Sequence, residues 1–266
     1  MKMVLEEIRL AKQQFARLPL FERMRSEALS PRRRLAFFPC LAPFVLAYSD
    51  LRSHVFRDEG RRDRGRHPAD EHSRGDARPD AVQDLVHAHC GAGSGEWACY
   101  LDDLASLGFD HRERAATEVL RQYASDSAQI SRMLGPRLAR LLFDARPIEK
   151  LLMLEAIGAA RGVLFSLGAE LASRLEREYS LKLRYFSQCL SADLHDRTVR
   201  VLGASGLADH ERAWCLVLVG HVFQLFTEWS NELLAHACSA ASVSQPRERA
   251  AAAIQIDWPV SGTNRV

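Results

Sequence analysis

The feature of this 266-residue sequence that most limits its fold is the helical spacing of its apolar residues. The clearest run predicts one long helix over 148–178, because apolar side chains recur at positions 151, 152, 154, 157, 164, 165, 167 and 171. Pro147 suits the first turn of that helix, where a missing N–H costs no hydrogen bond. Strand patterns are nearly absent, since the β-prone run 215–219 continues at helical spacing to Trp229. The sequence therefore predicts an all-α fold.

The same spacing predicts several other helices and a single domain. An amphipathic segment runs to Leu18 and is closed by Pro19, and a segment kinked by two prolines is followed by a helix from Ala42. Further helices are expected over 81–90, 95–107, 110–125, 127–143, 185–202 and 210–238. We therefore expect one domain of seven to nine helices over 1–240, followed by a C-terminal tail over 241–266.

Charge distribution argues against nucleic acid as a partner. Residues 57–80 contain seven Arg, seven Asp or Glu, five Gly or Pro and no large apolar side chain. Such a segment buries too little surface to offset its ordering entropy, which predicts a mobile loop. An arginine-rich RNA contact is the alternative, but the interleaved acids oppose it. The whole chain has 36 basic and 34 acidic residues, so it has no strong field that would attract nucleic acid.

The sequence also argues against a membrane partner. The most apolar window, 151–175, is interrupted by Glu155, Arg161, Glu170 and Arg174, and the N-terminus lacks the unbroken apolar stretch of a secretory signal. The six cysteines form no CxxC pair, so a zinc knuckle or a thioredoxin-like motif is not predicted. We expect a cytoplasmic protein with reduced thiols.

Three predicted helical segments carry the candidate site residues. Positions 89, 93 and 96 share one helix face, and so do positions 189, 193 and 196. Glu155 is a lone acid in an apolar helix. The candidates are His89, Glu96, Glu155, Cys189, Asp193 and Asp196. Each of these residues can instead serve only the stability of the fold, because a buried acid can pair with an arginine and a buried cysteine is often a small core residue. His221, in an apolar helix, is read as a hydrogen-bonded core histidine.

These segments carry a resemblance to a known family. The segments are EWACYLDDLASLGF (96–109), LMLEAIGAARGVLFSLGAEL (152–171) and LRYFSQCLSADLHDR (183–197), with FFPCLAPFVLAYSDLRSHVFRD (37–58) upstream. Together they resemble the haem-oxygenase-like diiron oxidases and oxygenases, the iron-containing redox enzymes, over about 35–235. The resemblance implies a helical bundle, a homodimer, and iron and O₂ chemistry on fatty acids or amino acids.

The resemblance also implies a ligand set, and this sequence departs from it. The family's pattern is Glu-x-x-His before Trp, a Glu on the middle helix, and His-x₃-Asp-x₂-His. The matching positions here are Gly93, Glu96, Glu155, Cys189, Asp193 and Asp196. Only Glu155 and Asp193 keep the family's residue, and every imidazole is replaced. A set rich in carboxylates suits Mn²⁺, Mg²⁺ or Ca²⁺ better than iron, with His89 as an imidazole donor one turn away.

Three functional hypotheses follow from this departure. The first is a protein that has lost the usual diiron centre and binds a small metabolite or a partner in a pocket near Glu96, Glu155 and Asp193. The second is an active oxidase or oxygenase with an altered site, in which iron or another divalent metal is held by those residues with Asp196 and His89. The third is a cofactor-free enzyme with Cys189 as nucleophile or Glu155 as acid–base group. The first and third need no cofactor.

Overall fold

The computed structural model of the chain describes residues 1–47, 96–107, 124, 126–143, 145–188, 192–204 and 206–254. For residues 127, 192–197 and 240–254 it describes the backbone only. The predicted loop 57–80, the predicted helix 81–90, the predicted helix 110–125 except for residue 124, and the candidates His89 and Cys189 lie outside the described residues.

The described residues are helical, with no strand among them. The helices are α1 (Lys2–Phe15), α2 (Pro19–Arg25), α3 (Pro31–Arg34), α4 (Glu96–Ser106), α5 (Gln129–Phe143), α6 (Pro147–Tyr179), α7 (Tyr185–Gln188), α8 (Ala192–Ala204) and α9 (Asp209–Ile254). Short 3₁₀ turns occupy Phe38–Leu41 and Asp126–Ala128, and helical backbone continues over 42–47. The predicted all-α bundle is confirmed, and the part of the chain that the structure describes contains nine α-helices.

Helix α6 is the centre of the bundle. It packs against α1, α2, α7, α8 and α9, and most of its residues between Glu149 and Leu175 are buried. It is long and apolar enough to cross a membrane, but 72% of its most apolar window is buried by the rest of the fold. That burial is typical of the core helix of a soluble protein. Its end is marked by Ser180, whose left-handed backbone (φ 55°) closes the last turn.

Charged side chains hold the starts of three helices. The Arg146 guanidinium donates to Glu149 at 2.8 Å in the first turn of α6 and also to Glu211 in the first turn of α9. Glu232 of α9 accepts the backbone N–H groups of Ile130 and Ser131, both at 2.8 Å, at the start of α5. These carboxylates satisfy N–H groups or complement the positive end of a helix, so they fix how α5, α6 and α9 meet.

One predicted helix end differs clearly from the structure. The predicted helix 185–202 corresponds to α7 and α8, and residues 189–191 between them lie outside the described residues. Helix α9 continues to Ile254, so the prediction that it ends at 238 is wrong. The run of alanines at 250–253 is compatible with the continuation, because alanine has the highest helix propensity of any residue.

Candidate functional site

Glu155 lies deep in the bundle. It stands on α6 and is 2% exposed, and its neighbours in sequence Leu154 and Ala156 are buried too. An ionised carboxylate in such a place needs partners, and Glu155 does interact with its surroundings. Helix α6 packs against α8, the helix on which Asp193 and Asp196 stand. The side chains of Asp193 and Asp196 are not described, so their distances to Glu155 are untested.

Glu96 is the first residue of α4 and is half-buried. Of the six candidate residues, only Glu96 and Glu155 have described side chains. Among the described residues no group of three or more His, Cys, Asp or Glu side chains is placed to hold a metal ion. Since the side chains of the other four candidates are not described, the predicted metal site stays a prediction.

Asp103, which the sequence reasoning missed, ties α4 to the start of α7. Its side chain is 2% exposed, and Oδ2 accepts the backbone N–H groups of Arg184 and Tyr185, both at 2.8 Å. Burial raises the pKa of Asp103, and the N–H groups of Tyr185 and Arg184 act in the opposite direction. The carboxylate thus supplies the N-terminal cap of α7 from a helix about 80 residues earlier in the chain.

A polar cleft of about 470 Å³ opens beside this cap, between α4 and the chain that leads into α7. We call it the α4–α7 cleft, and it is lined by Cys99, Asp102, Asp103, Ser106, Lys182, Arg184 and Gln188. Both signs of charge are present. Lys182 is paired with Glu176 at 3.5 Å, whereas the Arg184 guanidinium makes no hydrogen bond or ion pair with any residue that the structure describes.

The cleft borders two of the predicted site segments. Glu96 and Asp103 are seven residues apart on α4, so they lie on the same helix face about 10 Å apart along the axis. Gln188 is the residue immediately before Cys189. The cleft therefore lies along α4 from Glu96 and beside Gln188, the last described residue before Cys189.

The wall behind the cleft is aromatic. Tyr100, Tyr185 and Phe186 are almost fully buried, and the Tyr100 hydroxyl donates to the carbonyl of Phe38 at 2.8 Å. Trp97 stacks on Tyr100 with ring centroids 5.7 Å apart. Burial raises the pKa of Tyr100 far above its usual range and that of the Cys99 thiol to about 11. Both groups are neutral near pH 7, so neither is a base or a thiolate there.

Asp103 could have been found from the sequence by its helical phase. It follows Tyr100 by three residues, on the buried face of an amphipathic helix where an apolar residue is expected. An acid at such a position signals a required hydrogen-bonding role. Arg184 carries no comparable signal, because its position follows from the cap that Asp103 makes.

His221 is another difference from the sequence-based reading. It is exposed on α9, not in the core, and makes no hydrogen bond or ion pair with the residues that the structure describes. Its helix face, which also carries the half-exposed Trp214, is left uncovered by the described part of the chain. Apolar neighbours in sequence made this face look buried.

Comparison with known proteins supports the fold alone. No protein-family model matches the chain, and no curated protein sequence matches it. The crystal structure of a TenA homolog from Pseudomonas syringae pv. tomato is similar, with a TM-score of 0.50 and 11% sequence identity over 88% of this chain and 92% of that chain. The likeness supports the predicted all-α helical bundle. The haem-oxygenase-like assignment stays a prediction.

Proposed function

We propose that this protein, built on a haem-oxygenase-like fold, binds a small amino-acid-derived metabolite in the α4–α7 cleft and has lost the diiron centre of the related oxidases. The observation that carries the proposal is the cleft itself. The cleft is polar and is lined by the carboxyl groups of Asp102 and Asp103. It is also lined by the Arg184 guanidinium, which is not paired within the described chain. It borders the predicted site segments 96–109 and 183–197. A metabolite with an acidic and a basic group complements that lining.

The chemistry of the donor set supports the loss of the diiron centre. The six positions that match the family's ligands offer four carboxylates, one thiol and a glycine with no side chain. Neutral imidazoles keep the charge of an iron cluster low, and none remains at these positions. The residues therefore do not fit a diiron group, and the proposed function involves no iron chemistry.

An altered metal site is the rival proposal, in which Glu96, Glu155 and Asp193 hold one divalent ion. What favours it is the deep burial of Glu155, since buried carboxylates are either paired or bound to metals. Elemental analysis before and after anaerobic incubation with Fe(II) and Mn(II) separates the two. We expect no stoichiometric metal in the wild type. One equivalent of metal that is lost in Glu155→Ala but kept in Glu170→Ala, an exposed acid on the same helix, would establish the rival.

The cleft is tested with the twenty L-amino acids as probes in a thermal-shift assay. We expect at least one of them to raise the Tm, and Gln188→Trp, which fills the cleft, to abolish that shift. Ser187→Trp places the same ring on the neighbouring exposed position and should leave the shift intact. If no amino acid raises the Tm of the wild type, or if both variants respond alike, the assignment of the cleft is wrong.

We further propose that the protein is cytoplasmic and has no membrane or nucleic-acid partner, and that it forms a homodimer. The near-zero net charge supports the absence of a nucleic-acid partner, and the burial of the most apolar helix supports the absence of a membrane partner. The homodimer rests on the family resemblance.

A further inference from the structure

A second cavity lies on another part of the bundle and shares no lining residue with the α4–α7 cleft. It has a volume of about 610 Å³, within the range of about 300–1,000 Å³ that small-molecule sites have. It lies between the C-terminal half of α5 and the N-terminal half of α9, above the start of α6. We call it the α5–α9 cavity, and its principal lining residues are Arg140, Leu141, Trp214, Leu218, His221 and Leu225.

One wall of the cavity is apolar and aromatic. Leu218 and Leu225 are 4% and 6% exposed and belong to the core, whereas the Trp214 side chain is 50% exposed. Trp214, Leu218, His221 and Leu225 recur every three or four residues along α9, so they form one continuous face. A flat ring in the cavity would cover the exposed indole and displace water from it.

The carboxylates around the cavity whose side chains the structure describes are already paired. Glu149 accepts hydrogen bonds from Arg146, which does not line the cavity. Beyond the other end, Glu228 accepts hydrogen bonds from the lining residues Arg137 at 2.6 Å and Gln224 at 3.1 Å. Neither carboxylate is therefore free to neutralise a further cation.

Of the two arginines that line the cavity, Arg137 is paired with Glu228, and Arg140 is not paired with a described residue. The Arg140 side chain is exposed at the cavity and makes no hydrogen bond or ion pair with any described residue. His221 faces the same cavity, equally without a described partner. A guanidinium presents N–H donors in a fork that matches a carboxylate, and an imidazole adds one more donor.

We propose that the α5–α9 cavity binds an aromatic carboxylate, with the ring against Trp214 and the carboxylate on Arg140 and His221. The ring meets the apolar wall, and the negative charge meets a guanidinium that has no partner among the described residues. This site is independent of the proposed function, because it uses different residues and a different ligand class. The competing explanation is that Arg140 only complements the negative C-terminal end of α5, where it stands in the last turn.

Calorimetric titration with 2-naphthoate and 2-naphthamide tests the proposal, since the two share a ring system and differ in charge. We expect 2-naphthoate to bind the wild type at least tenfold more tightly than the amide. Arg140→Gln should lower the affinity for 2-naphthoate about tenfold, which is the size expected for a charge-assisted hydrogen bond on an exposed group. Arg140→Lys, which keeps the charge, should lose less.

Two further variants serve as controls. Arg17→Gln removes an exposed arginine whose side chain also has no described partner and does not line the cavity, so this variant should bind 2-naphthoate as the wild type does. Trp214→Leu keeps an apolar side chain and removes the indole, and it should weaken 2-naphthoate and 2-naphthamide alike. Circular dichroism confirms that each variant is folded.

Three results would overturn the proposal. One is the absence of 2-naphthoate binding up to millimolar concentration. Another is equal affinity for the acid and the amide, with no effect of Arg140→Gln, which would leave Arg140 as a helix-end charge only. The third is a change from dimer to monomer in Trp214→Leu by sedimentation, which would assign this face to a second copy of the chain.

Discussion

Asp103 Oδ2 accepts the backbone N–H of Tyr185 at 2.8 Å, which joins two helices across 82 residues of sequence. Helix α7 has four residues and could not persist alone, because a helix that short gains too few hydrogen bonds to offset its nucleation. Its position depends on this carboxylate and on the packing of its two aromatic residues. The α4–α7 cleft depends on the same contact.

Removal of the Asp103 carboxylate should loosen α7. Asp103→Ala leaves the N–H groups of Arg184 and Tyr185 without their acceptor, and we expect the free energy of unfolding to fall by about 1–2 kcal/mol. Urea denaturation measures the change. Asp102→Ala, on the exposed neighbouring residue, should cost about 0.5 kcal/mol or less. Equal losses in the two variants would contradict the capping role.

Replacement by alanine should change the stability of the protein in opposite directions at two glycines of α6. A Cβ at Gly168 would lie 2.3 Å from Cδ1 of Phe186, whereas a Cβ at Gly158 would have no atom within 4 Å. Gly168→Ala should therefore destabilise the protein by about 1–3 kcal/mol, because the Phe186 ring must shift in a packed core. Gly158→Ala should stabilise it by about 0.5–1 kcal/mol through higher helix propensity. Thermal unfolding of both variants tests the contact between position 168 and the Phe186 ring. A Gly168→Ala variant as stable as the wild type would refute it.

The ion pair at the start of α9 predicts a pH dependence of stability. The hydrogen bond from Arg146 holds the pKa of Glu211 below its ordinary value of 4.5. A carboxyl whose pKa is lower in the folded state stabilises the fold above the pKa of the unfolded chain and loses that contribution as pH falls. Wild type should thus exceed Glu211→Gln in unfolding free energy at pH 7, by about 1 kcal/mol or less because the pair is partly exposed. The difference should shrink below about pH 4.5, and a constant difference down to pH 3 would be inconsistent with the pair.

Cysteine reactivity tests the thiol-enzyme hypothesis. Cys40, Cys99 and Cys215 are buried and Cys238 is exposed, and burial raises the pKa of both Cys99 and Cys215. With iodoacetamide at pH 8 we expect Cys238 to be alkylated in the native protein and the three buried thiols to stay unmodified. Peptide mapping by mass spectrometry measures the extent of alkylation at every cysteine in one experiment.

The same map decides the role of Cys189. Alkylation of Cys189 well before Cys238 would favour the cofactor-free enzyme, because a nucleophilic thiol outpaces one that is merely exposed. Slow reaction at Cys189 would remove the thiol version of that hypothesis and leave its Glu155 version, the binding protein and the metal enzyme.

Local signals predicted the main helices well. Pro147 and the apolar periodicity placed α6 within a residue or two at each end, and α5 and α4 were placed with similar accuracy. The role of Asp103 escaped prediction because the cap at Tyr185 is a tertiary contact that no local pattern encodes. The candidate site was predictable only in part for the same reason: Glu155 is conspicuous as an acid in an apolar helix, but Arg184 gains its place only through the fold.

The contact between Gly168 and Phe186 has a consequence for the protein's evolution. As long as an aromatic ring fills position 186, position 168 tolerates no side chain, so neither residue is free to drift alone. Related sequences should show the two positions covarying, with a larger residue at 168 only where 186 has become small.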